Sequence, residues 1–238
     1  MKTIDSFNLQ PGYIIAGKYK VVSKLGEGWE GEVYKIAELR TGIERTAKLF
    51  YPKRDIGSKT SMRYAKKLHK LRHCPMLIKY HAGETFTFEK ATITALISEY
   101  VKGEGLSSFL KNLPGKRLHP FEAVHLLHIL AKGIEQVHQY NEYHGDLHLD
   151  NIIVSRSGLS FEVKLLDFYH WEATKSENQQ SDIVDLIRVF YDSLGGARYY
   201  SRHPAFIKQI CCGLKHSMIL KKFRTVSILR KYLETMEW

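Results

Sequence analysis

The apolar rhythm of this chain changes once, and that change constrains the fold more than any other feature. Residues 19–25 alternate, with Tyr19, Val21, Ser23 and Leu25 on one side and Lys20, Val22 and Lys24 on the other, which predicts a strand. A glycine-rich turn at Gly26–Gly31 follows. Strands are then predicted at Glu32–Ala37 and, after the Arg40-Thr41-Gly42 turn, at Glu44–Phe50. Met62, Ala65, Leu68 and Arg72 recur at helical spacing within 58–72, and Cys74-Pro75 ends that element. Two more strands are expected at Leu77–Glu84 and Ala91–Glu99. Beyond Gly105 the period becomes helical. Leu106, Phe109, Leu110 and Leu113 share a face, and Pro120 opens a long helix through Leu127, Ala131, Ile134 and Val137. Short apolar runs at Ile152–Val154 and Val163–Leu166 flank a hairpin-like Ser155–Phe161 stretch. Helices follow at Ser181–Leu194, His203–His216 and Thr225–Met236. Five strands with one helix, a connector near Tyr100–Gly105 and a mostly helical remainder make an α+β chain, expected to form two lobes with a cleft between them.

Composition narrows the class. Of 238 residues, 44% are hydrophobic and 26% charged, which excludes disordered, collagen-like and disulfide-framework chains. No apolar run reaches the ~18 residues of a membrane span, and the first ten residues are too polar for a signal peptide. Cys74, Cys211 and Cys212 have no metal-ligand spacing, so a reducing compartment, the cytoplasm, is expected. The net charge of +11 favours anionic partners but names no chemistry. No aromatic single-strand platform or zinc module supports nucleic acid as that partner.

Four segments carry chemistry. Gly26-Glu27-Gly28-Trp29-Glu30-Gly31-Glu32-Val33 fits G-x-G-x-x-G-x-V. A dinucleotide site would need this turn to open a helix, whereas here it joins two strands. Such a hairpin lets backbone N–H groups approach phosphates, and a plain β-turn is the competing reading. Lys48, after Thr46-Ala47 on the third strand, offers an ammonium. The loop His144-Gly145-Asp146-Leu147-His148-Leu149-Asp150-Asn151 sets an Asp and an Asn five residues apart. Asp146 can accept a hydroxyl proton and Asn151 offers a hard oxygen ligand for Mg²⁺. A metal site through His144, Asp146 and His148 competes, without the helix that a zinc site of that spacing requires. Leu165-Leu166-Asp167-Phe168 delivers a further carboxylate from a buried strand.

In this order the segments resemble the protein kinase superfamily of the eukaryotic-like Ser/Thr type, with features of RIO-like, Bud32-like and aminoglycoside phosphotransferase-like kinases. The resemblance implies one kinase-like domain over 1–238, with an N-lobe of about 1–100, a hinge of about 99–105 and a shortened helical C-lobe of about 106–238. It implies ATP and Mg²⁺ as cofactors. Gly26, Gly28, Gly31, Val33, Ala47 and Lys48 would then surround the nucleotide, with Glu99 and Val101 at adenine. Asp146, with His144 and Lys48, would serve catalysis, and Asn151 and Asp167 would bind the metal. Asp182 resembles the helix aspartate that braces the catalytic loop, and Phe223-Arg224-Thr225 the arginine motif near the C-terminus. The expected acceptor is a protein hydroxyl, with a small-molecule acceptor and a nucleotide-binding pseudokinase as alternatives.

The departures are specific. From Ile56 to Gly83 there is no Asp or Glu, so the usual helix partner of Lys48 is missing. Gly145 stands where an arginine commonly precedes the catalytic aspartate, His148 where a lysine is usual, and Tyr169 where D-F-G has its glycine. Asp167 and Asp182 are fifteen residues apart with no A-P-E motif between them, and Glu172–Gln180 is expected to be a flexible polar segment.

Overall fold

The computed structural model describes residues 4–158 and 160–237. Met1 to Thr3, within the polar N-terminal stretch, and Leu159, within the hairpin-like stretch, lie outside the described residues. The chain divides into two compact units. The first runs to His73 and resumes over Ile78–Val101, and the second joins Cys74–Leu77 to the chain from Lys102 onward.

The first unit is an antiparallel sheet with one α-helix. Its elements are β1 (Ile14–Ile15), β2 (Tyr19–Glu27), β3 (Gly31–Glu38), β4 (Glu44–Phe50), α1 (Lys59–Lys70), β5 (Tyr80–Phe88) and β6 (Ala91–Glu99). The strand order is β1-β2-β3-β4-β6-β5. The five expected strands are present, and two-residue β1 adds a sixth at the edge. β5 starts at Tyr80 rather than Leu77, because Leu77 pairs with Leu165 in the second unit.

Strand alternation sorts the sheet into two faces. One carries the core residues Tyr34, Ile36, Ala47, Leu49, Ala95 and Ile97, joined by Ile4, Phe7 and Leu9 of the N-terminal segment. Fully buried Glu32 pins that segment down. Its carboxylate accepts the N–H groups of Phe7 at 2.9 Å and Asn8 at 3.1 Å, and the hydroxyl of Tyr34. Burial pushes this carboxyl up, but the Tyr34 hydroxyl, the Phe7 N–H, Lys24 and the Asn8 N–H together hold it below its ordinary range. On α1, Ser61, Tyr64 and Leu68 face inward while Lys59, Arg63 and Lys66 are exposed; of the expected face Met62, Ala65, Leu68 and Arg72, only Leu68 is buried, and Met62 is half exposed.

The second unit holds β7 (Glu104–Gly105), α2 (Leu106–Asn112), α3 (Pro120–Gln139), β8 (Ile152–Ser157), β9 (Ser160–Leu165), α4 (Lys175–Ser193), α5 (Ala197–Tyr200), α6 (Ala205–Cys211), α7 (His216–Lys222) and α8 (Val226–Thr235). β7, β8 and β9 form a three-stranded antiparallel sheet. Pro120 fits the first position of α3, where no N–H partner is needed, and His119 with Glu122 closes a capping box. Leu127, Leu130 and Ile134 of α3 are fully buried. Arg230 of α8 pairs with Glu135 of α3 at 2.6 Å.

Two expectations are corrected here. Glu172–Gln180 is not a flexible run throughout: α4 begins at Lys175, where Thr174 and Glu177 form a capping box that satisfies the first-turn donors. The helix expected over His203–His216 is broken. Cys212 and Gly213 adopt left-handed backbone at φ 48° and 62°, which ends α6 before α7 begins.

Candidate active site

In the first unit the glycine-rich turn joins β2 to β3, and Gly28 N–H donates to the Gly31 carbonyl at 2.9 Å. Register sets Gly26 opposite Val33, Val33 opposite Lys48 and Lys48 opposite Leu96, one row across four strands. Directly opposed side chains share a face, so Val33 and Lys48 lie together. A Cβ on Gly26 or Gly28 would meet nothing within 4 Å, leaving the turn's surface open for close approach. Gly31 differs. A Cβ there would lie 1.8 Å from the Leu49 carbonyl oxygen, so this glycine is required by the approach of β3 to β4.

Lys48 is 9% exposed, with its ammonium 4.9 Å from the Tyr64 ring centroid and 5.4 Å from that of Phe50. Glu30, in the glycine-rich turn, pairs with it at 2.8 Å. Ala47 is corrected. It lies opposite Tyr34 and Ile97 in the buried core, on the face away from Lys48, because adjacent strand residues alternate. Glu99 pairs with Arg45 and donates its N–H to Lys79, with Val101 two residues beyond at the unit's end.

In the second unit the loop after α3 is gripped by Asp182 of α4, which is fully buried. Its oxygens accept the His144 and Gly145 N–H groups, each at 2.8 Å, and His138 Nε2 lies 2.9 Å away. Asp182 thus takes the bracing position that its motif implies. Gly145 has φ +86°, and a Cβ there would lie 2.7 Å from the Tyr169 carbonyl oxygen. The loop therefore has no room for the arginine common at this position.

Asn151 ties the loop's other end. Its side-chain amide donates to the Asp146 carbonyl at 2.8 Å and to Asp146 Oδ2 at 2.9 Å. The carboxylate of Asp146 is thereby held while remaining partly exposed. Leu166 N–H donates to the Asn151 carbonyl at 2.9 Å, which brings Asp167 into register beside Asn151. Asp167 itself has left-handed backbone, φ 42°, where the chain leaves β9. His148 Nε2 lies 3.6 Å from Asp146 Oδ2.

His144 is corrected from a catalytic to a positioning residue. It is fully buried, packs against Phe168 with ring centroids 4.9 Å apart and tilted by 39°, and accepts the Asp146 N–H at Nδ1, so it shapes the loop rather than facing a substrate. Among the described residues no group of three His, Cys, Asp or Glu side chains could hold a metal ion, which removes the His144, Asp146 and His148 site. Mg²⁺ is ordinarily bound by one or two protein ligands together with substrate phosphates. Asn151 and Asp167, brought into register, fit that pattern. His138 and Glu30 are site residues that the sequence reading missed. Nothing in the spacing of the α3 histidines singles out His138, and Glu30 occupies a variable position of the glycine motif.

Residues 19–212 match the protein kinase domain family, and the chain belongs to that family. Among curated relatives, the chain is 29% identical over 160 residues to Serine/threonine-protein kinase pkn2 of Myxococcus xanthus, covering 65% of this chain and 18% of that protein. It is 29% identical over 192 residues to human Cyclin-dependent kinase 15, covering 78% of this chain and 41% of that protein. The chain thus spans less than half the length of these relatives. The crystal structure of the Mycobacterium tuberculosis PknI kinase domain aligns with TM-score 0.67 at 16% identity, covering 95% of this chain and 97% of that one, and shares its fold. No helix among the described residues is long and apolar enough to cross a membrane.

Proposed function

We propose that the chain is an ATP- and Mg²⁺-dependent kinase that phosphorylates a protein serine or threonine hydroxyl. The observation that carries this reading is the loop in which buried Asp182 grips one end and Asn151 holds the Asp146 carboxylate at the other. Phosphoryl transfer demands positioning and charge neutralisation more than covalent work. Asp146 orients the acceptor hydroxyl and takes its proton as the oxygen bonds the γ-phosphorus and the bond to the β,γ-bridging oxygen breaks. Gly26, Gly28, Gly31, Val33 and Lys48 hold the phosphates, and Glu99 to Val101 offer backbone groups to adenine. Asn151 and Asp167 would hold Mg²⁺, which supplies charge neutralisation to the phosphates when bound. The named relatives and the kinase family support this reading.

Incubation with labelled ATP and a generic basic protein tests it. Label should pass to protein hydroxyls, and Asp146→Asn or Asp167→Ala should reduce transfer by at least ~10²-fold. Transfer that survives both substitutions refutes the assignment.

A second reading, a small-molecule acceptor, rests on the shortness of the segment after Asp167. Only residues 168–174 separate it from α4, and His148 stands 3.6 Å from Asp146. A screen of hydroxylated metabolites, sugars and aminoglycosides that finds an acceptor surpassing every protein would favour it.

A further inference from the structure

The ammonium of Lys48 sits in a place that calls for a counter-charge, and the adjacent helix has none to give. No Asp or Glu occurs between Ile56 and Gly83, so α1 meets Lys48 with the ring of Tyr64 rather than with a carboxylate. Asp55, just ahead of α1, is committed: its two oxygens accept the N–H and the hydroxyl of Ser61 at 2.9 and 2.7 Å. At 9% exposure Lys48 is largely removed from water, and an ammonium at that depth needs a compensating charge.

Glu30 supplies one from the glycine-rich turn. Its reach is built into the sheet. The Glu30 carbonyl accepts the Tyr51 N–H at 2.9 Å, and the next residue, Gly31, pairs with Phe50. Because Gly31 has no side chain, β3 closes on the Leu49 carbonyl at this point, and the Glu30 backbone is held at the end of the β3–β4 ladder. Its carboxylate therefore projects from an anchored base, and its side chain is only 18% exposed.

We infer that Glu30 is the positioning residue for Lys48, replacing from within the phosphate-covering turn the carboxylate that α1 lacks. This rests on the proposed role of Lys48 in holding phosphates. It has a mechanical consequence. Positioning the lysine and covering the nucleotide fall to one hairpin, and no displacement of α1 is needed to make or break the pair.

Glu30→Gln and Glu30→Asp in the full chain test this, each read by kcat, by KM for ATP, by direct binding of a fluorescent ATP analogue with Mg²⁺, and by thermal midpoint. Glu30→Gln should lower kcat about tenfold or more while the analogue binds as well as before, since a negative charge near the phosphates has been removed. Glu30→Asp should restore much of the lost kcat, and both variants should melt within a few degrees of the unaltered chain. A purely structural role would lower the midpoint without this split and without rescue. If the unaltered chain is active and Glu30→Gln keeps kcat within twofold, or raises it, the inference is overturned alone. If the unaltered chain neither binds the analogue nor turns over ATP, the reading of Lys48 falls, and the role of Glu30 falls with it.

Discussion

Asp182 shows how much one side chain can decide. Its carboxylate satisfies two backbone N–H groups of the loop after α3, those of His144 and Gly145, from a fully buried position, with His138 as a third neighbour. Asp182→Ala leaves those donors unmet, and each buried unsatisfied group costs about 1–3 kcal/mol. Urea unfolding should therefore show a loss of about 3 kcal/mol, with phosphotransfer falling as the loop loosens. His138→Ala removes one partner at the rim and should cost about 1 kcal/mol. The double variant should lose less than the sum, because both residues belong to one network. Additive losses would mean that the His138–Asp182 contact contributes nothing. Asp182 is legible from its motif, whereas His138 is one of several histidines along α3. Only the folded chain, which sets α3 beside α4 over a separation of forty-four residues, distinguishes it.

The glycine-rich hairpin separates two kinds of glycine that look alike in sequence. Gly31→Ala drives a methyl into the Leu49 carbonyl and must push β3 from β4, a strain of about 1–3 kcal/mol. Gly28→Ala meets nothing, so its stability should stay within about 0.5 kcal/mol of the unaltered chain. Thermal melts of the two variants check this, and equal midpoints would refute the distinction. The strands were readable because alternation is local, and α3 because its apolar stripe is; α1 was located, but its inward face runs through Ser61 and Tyr64 rather than Met62 and Ala65. The start of α4 was not read: its first turns are polar, and the Thr-x-x-Glu capping signature at 174–177 was the available signal. The break in the helix after Ala205 was hidden, because Cys212 is a residue type that seldom adopts the left-handed conformation it takes there. The N-terminal segment over the sheet was beyond reach. Its hydrogen bonds run to Glu32, some twenty-five residues away, and no local pattern encodes them. The face of Ala47 was misread for a simpler reason. With Lys48 on the face of Val33, the residue beside it must face the core.

At the scale of the whole molecule, Glu32 and Asp185 titrate in opposite senses and contribute to stability over different pH ranges. Glu32 has a folded pKa below its ordinary 4.5, so its contribution is present above that pH and is lost as pH falls through the folded value. Asp185 is pushed up from 3.8 to about 6, first by burial and then by the charge of Asp182, with Asp146 adding to this and Arg188 and His148 opposing it. Its contribution is present below 3.8 and is lost as pH rises through about 6, since ionising it in place is unfavourable. Other carboxyl groups shift as well, so the unaltered chain alone cannot isolate Asp185. Asp185→Asn does. Urea unfolding should show the variant gaining stability relative to the unaltered chain as pH rises from 3.8 to about 6 and levelling off above, with the gap closing below 3.8, where Asp185 is protonated in both folded and unfolded chains. A pH-independent gap would mean that the substitution changes packing alone, and a gap that widens toward acid would reverse the sign assigned to the Asp185 shift.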